Sequence, residues 1–204
     1  MTTPSLPTTV WLPAPGDPDA VPGVGLVLPD WAIEKIRTEF TARPGRRPLP
    51  LLRFSITDTA PGMDARTPCV TYGALDGPSC ATALLLAELH PDTLPTQLPV
   101  PACGEMPGAM ENGWPGFFHR AHRLLPVDGL LLLATRQHRD DGILVDPLGA
   151  LVACARTAGF RYLQHIVVAH AHPAGDRLVP VSLADAGTGV THSDLIVLSA
   201  IHHA

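Results

Sequence analysis

Aromatic residues make up only 5% of this 204-residue chain, so a core has to be assembled from Leu, Val, Ile and Ala. Lysine is nearly missing: Lys35 is the one lysine among 14 basic residues, and the formal net charge is −5. The arginines form only small groups, Arg43, Arg46 and Arg47, then Arg120 and Arg123, then Arg136 and Arg139. No basic stripe runs through the sequence, which argues against a surface that grips duplex DNA strongly. No apolar run approaches the roughly 20 residues of a membrane span; the longest surrounds Leu130 to Ala134. The four cysteines, Cys69, Cys80, Cys103 and Cys154, lack the paired spacing of metal or redox motifs. The first residues show no basic region followed by an apolar stretch, so the expectation is a cytoplasmic, reduced protein without an export signal.

What is present describes a globular α/β chain. At 46% hydrophobic and 16% charged, the composition supports one domain with a real core. Residues 1–28 hold six prolines and little periodicity, and are read as an extended arm ahead of a single domain over 29–204. Pro29 opens a helix with Ile33, Ile36 and Phe40 on one face, and Pro44-Gly45 ends it. Leu49 to Ser55 reads as a buried strand. Residues 56–80 carry turn chemistry, with a short strand possible at Cys69–Tyr72. The run Cys80 to Leu89 is either a helix capped by Ser79 or a buried strand centred on Leu84–Ala87. Residues 91–113 form a Pro/Gly-rich loop.

The closing half is more regular. Trp114 to Leu125 has a helical apolar stripe, Pro126 to Gly129 is a turn, and Leu130 to Thr135 is a strand. Asp146 and Pro147 start a helix that Gly159 stops in the left-handed position, with Phe160 as its hydrophobic cover. Tyr162 to His170 is a strand, Gly175-Asp176 a turn, Leu178 to Leu183 a short strand and Leu195 to Ile201 the last one. The order predicts an α/β sheet that finishes in an antiparallel strand pair.

Four segments together resemble the C-terminal half of the catalytic domain of S-adenosylmethionine-dependent DNA methyltransferases, which modify exocyclic amines of adenine or cytosine. RLLPVDGLLLLATRQHRDDGILVD, Arg123 to Asp146, is similar to the family's leader helix, turn, strand and polar loop. ALVACARTAGFRYLQHIVVAHA, Ala150 to Ala171, resembles its helix ending in Ala-Gly-Phe and the following strand. GDRLVPVSL and THSDLIVLSA resemble its closing turn and last strand. The resemblance implies a Rossmann-like, methyltransferase-type sheet, here shortened in the N-terminal half, since only about thirty residues separate the first strand from the candidate fourth.

It also implies where a site would lie. The family's cofactor loop follows the first strand; the equivalent here, Ser55 to Gly62, has one glycine, so Asp58 and Gly62 are the residues implied for S-adenosylmethionine. The family's catalytic loop pairs a polar residue with two prolines and an aromatic ring that stacks on the flipped base. The chain offers Glu88-Leu89-His90-Pro91, with one proline and no ring, so Glu88 and His90 are the candidate proton-handling groups, set against a plain reading as surface residues after a strand.

The histidines invite a metal reading, but no carboxylate or Cys stands at ligand spacing from His165, His170, His172 or His202. They are read as solvent-facing strand ends, and no metal is expected. His119 and His122 are read as a polar helix face, and Cys154 as a small core residue. The functional expectation is a degenerate methyltransferase-like protein, a non-catalytic binding or regulatory subunit with a protein partner or a second copy of itself. The alternative is a divergent active methyltransferase acting on nucleic acid. A third possibility is a small α/β protein holding some other ligand at its strand ends.

Overall fold

A computed structural model of the chain describes residues 8–14, 21–23, 26–41, 49–56, 84–89, 113–136, 138–140, 143–181 and 191–202. Among these, six strands form one sheet: β1 (Thr8–Trp11), β2 (Leu51–Ile56), β3 (Leu84–Leu89), β4 (Leu130–Thr135), β7 (Phe160–Ala169) and β10 (His192–Ala200). Small two-stranded ladders are made by β5 (His138–Asp140) with β6 (Ile143–Val145), and by β8 (Ala171–Ala174) with β9 (Arg177–Pro180). The sheet order is β1-β7-β10-β4-β3-β2. β2, β3 and β4 are mutually parallel, as are β1 and β7, while β10 runs antiparallel between β4 and β7. The expected antiparallel finish is therefore an insertion: the last strand enters the middle of a mostly parallel sheet.

Helices cover both faces. α1 (Asp30–Ile36), continued by a π-helical turn at Arg37–Thr41, packs Ala32, Ile33 and Ile36 against Leu84, Leu86, Leu132, Ala134, Leu195 and Val197. α2 (Gly113–Leu124) and α3 (Leu148–Thr157) pack Phe118, Ala121, Leu151 and Ala155 against Leu85, Ala87, Leu131, Leu133, Ile196 and Leu198. Because both faces are covered, β3 is buried at all six positions, which is why its apolar run showed no alternation. The strand alternative for Leu84–Ala87 is the observed one.

Local signals explain the closing half. Asp146 Oδ1 accepts from the Leu148 amide at 2.9 Å, satisfying one free N–H at the start of α3. Gly159 takes φ +94°, which favours glycine, and a Cβ there would lie 2.9 Å from His122 Nε2, so a side chain would also displace that ring. In β7 a bulge at Leu163 shifts the register against β10 between Val197 and Leu198. Before it, Phe160 and Tyr162 face the α2/α3 core; after it, Ile166 and Val168 face the α1 core.

Within the proline-rich segment the described residues Thr8–Trp11 form a strand that is tied into the sheet. β1 pairs with β7, Gln164 donates to Thr9 Oγ1 at 2.6 Å, and Trp11 is buried. At the opposite end of the molecule His122 is half-buried instead of lying on a free polar face. Its Nε2–H donates to Ile201 O at 2.9 Å, His202 Nε2–H donates to Leu125 O at 3.0 Å, and the two rings stack with centroids 4.3 Å apart.

Candidate functional site

Parallel strands that end side by side leave a crevice at their carboxyl ends, and polar side chains collect there in this sheet. On the α1 face the first is Glu88, next to last in β3 and 1% exposed. Its Oε1 accepts the Leu28 amide at 3.1 Å, and its Oε2 is bonded to Arg53 Nε from the neighbouring strand β2. Arg53 lies two residues along from the Glu88 partner in the register, so the two side chains meet diagonally on one face. The reading of Glu88 as a surface residue is corrected: it lies inside the strand, and its charge is accommodated by an ion pair and a backbone donor.

The same face continues across β4 and β10. Ser193, fully buried, donates its hydroxyl to Val27 O at 2.7 Å. Its one proton is thereby committed, so the 3.0 Å contact with His170 Nε2 is a bond donated by the imidazole. His170 is buried as well, and its pKa is lowered from the ordinary 6.5 to about 4, by burial first and then by the charges of His192 and Arg136. Arg136, at the end of β4, is 2% exposed.

On the α2/α3 face a second group forms around Asp194, 1% exposed at the start of β10. His165 Nε2 is 2.7 Å from Asp194 Oδ1, and His192 Nε2 is 3.7 Å from the same oxygen. Thr135 faces Asp194 directly in the β4–β10 register. The expectation of solvent-facing strand-end histidines with no carboxylate in reach fails for His165 and His170. One holds a buried aspartate, and the other is fully enclosed. Even so, among the described residues no group of three His, Cys, Asp or Glu side chains is arranged to hold a metal ion.

Cys154 is half-buried beside the α2/α3 core, and burial pushes its thiol pKa up. A raised pKa suits a packing residue and not a nucleophile. Asp58, Gly62 and His90, like Cys69–Tyr72 and the loop at 91–112, lie outside the described residues. Arg53, Ser193 and Asp194 are the site residues that sequence reasoning missed, and His170 is the one it placed in solvent. The signal for Arg53 was a single charge inside the apolar strand LLRFSI. For Ser193 and Asp194 it was two polar residues placed directly before an apolar run.

No helix among the described residues is long and apolar enough to cross a membrane. Comparison with protein-family models and with curated proteins finds no match for this chain.

Proposed function

We propose that this chain is a non-catalytic, methyltransferase-type binding subunit, related to the S-adenosylmethionine-dependent DNA methyltransferases, whose strand-end carboxylate serves the fold and not a substrate. The observation that carries the reading is Glu88. In the family it resembles, the polar residue after this strand accepts from a target amine. Here both carboxylate oxygens are engaged within the chain, by Leu28 N–H and by Arg53, and the side chain is 1% exposed. No oxygen is left facing an incoming amine.

The sheet supports the scaffold half of the reading. Three parallel strands at one side and a last strand that returns antiparallel are what a Rossmann-like, methyltransferase-type sheet shortened in its N-terminal half predicts. Since fold does not carry activity with it, the function rests on the side chains. Should S-adenosylmethionine bind, Asp58 and Gly62, in the sequence that follows β2, are the residues expected to meet it.

A divergent, active methyltransferase acting on nucleic acid is the second reading. It is favoured by the position of Glu88 at the carboxyl end of a parallel strand, where open sheets form their crevices. Glu88 and His90 would then handle the proton.

A binding subunit predicts an assembly. Sedimentation of the purified chain, with pulldown of the tagged chain from its own host cells, is expected to give a stable complex with a protein partner or a second copy. A monodisperse monomer that recovers no partner contradicts the reading.

A further inference from the structure

The carboxyl ends of β3 and β4, and the amino end of β10 beside them, are crossed by a piece of the chain itself. Val27 and Leu28, between the proline-rich arm and α1, lie over the α1 face of the sheet. Leu28 N–H is bonded to Glu88 on β3, and Val27 O is bonded to Ser193 on β10, two strands away. The bridge therefore spans β4, at the place where an open sheet receives a ligand. Both anchors are polar and single, one hydrogen bond at each end. Before the bridge the chain turns at Gly23, whose carbonyl accepts the Leu26 amide at 3.0 Å; after it Pro29 opens α1.

We infer that residues 26–29 form a latched strap over the strand ends, fastened by Ser193 through Val27 O, and that it must open before any ligand reaches Glu88. The Leu28 amide is a donor at the position where a ligand amine would have to donate, so the strap and such a ligand exclude each other. His170 steadies the latch by donating to the Ser193 oxygen, which fixes the hydroxyl proton on Val27. The strap side chains, Val27 at 1% and Leu28 at 0% exposure, are seated in the core, so the closed state dominates at rest. The ligand clause rests on the second reading above, in which Glu88 meets a substrate; the strap does not.

Native-state hydrogen exchange tests this on the full chain with no ligand added. The Leu28 amide is expected to exchange faster than the amides of β10, through a local opening that leaves the sheet intact. In Ser193→Ala its exchange is expected to rise about tenfold further, the equivalent of one buried hydrogen bond, and to stay ahead of the amides of β10. If Leu28 exchanges together with β10 in both proteins, the segment opens only with global unfolding, and the strap is overturned. The wild-type comparison alone decides the matter if the variant does not fold. Titration with adenosine, an exocyclic amine donor, separates the two ideas: a further rise at Leu28 supports competition for Glu88. A strap that opens while adenosine has no effect contradicts the ligand clause and leaves the strap standing.

Discussion

Replacing Arg53 with methionine is expected to destabilise the protein by about 3–5 kcal/mol, although Arg53 is itself part-exposed. The reason lies with its partner. Glu88 is 1% exposed, and without the guanidinium its charge keeps only the Leu28 amide for compensation. Methionine fills much of the arginine volume, so the loss measured by urea unfolding is electrostatic more than steric. Adding Glu88→Gln to Arg53→Met should recover most of it, because glutamine removes the stranded charge while its carbonyl still accepts from Leu28 N–H. This non-additivity identifies a structural pair. A carboxylate held ready for chemistry would behave differently, with Arg53→Met changing stability little.

Acid is expected to remove nearly as much stability, through His170. The folded protein holds this imidazole neutral, with a pKa of about 4 against the ordinary 6.5, chiefly because it is buried. As pH falls, the unfolded chain takes up the proton first. The stability due to the neutral ring is complete above about pH 6.5, declines between that value and about 4, and is flat below. The interval of about 2.5 units amounts to roughly 3 kcal/mol. Carboxylates titrate toward the lower end of the same range, so the informative quantity is the difference between wild type and His170→Gln. The wild-type slope of unfolding free energy against pH should be steeper across this window. Equal slopes in the two proteins would mean that the ring is not held neutral by the fold.

The closing half was legible because its signals are local. The Asp146-Pro147 start, the Gly159 stop and the Pro126–Gly129 turn each depend on a few adjacent residues, and Leu130–Thr135 was placed at its observed bounds. β3 was ambiguous for a physical reason: a strand buried on both faces has no period, and only its neighbours decide what it is. The site was legible in part. Glu88 was singled out from its position after an apolar run. Its burial was not visible, because Leu28 and Arg53 reach it from 60 and 35 residues away. Asp194 and His165 likewise meet only through the β7–β10 pairing. The proline-rich arm looked like a lead-in because too few apolar residues lie in it to form a core alone. Trp11, Val27 and Leu28 are enough once the sheet supplies the other side.

The central claim is that the strand-end carboxylate belongs to the fold and that the chain does not transfer methyl groups. The most direct measurement is incubation of the purified chain with radiolabelled S-adenosylmethionine and mixed DNA and RNA, alongside Glu88→Gln. The account predicts no transfer above the protein-free blank by either protein, with both folded by circular dichroism. Transfer by the wild type that disappears in Glu88→Gln would contradict it, and would make Glu88 a catalytic residue.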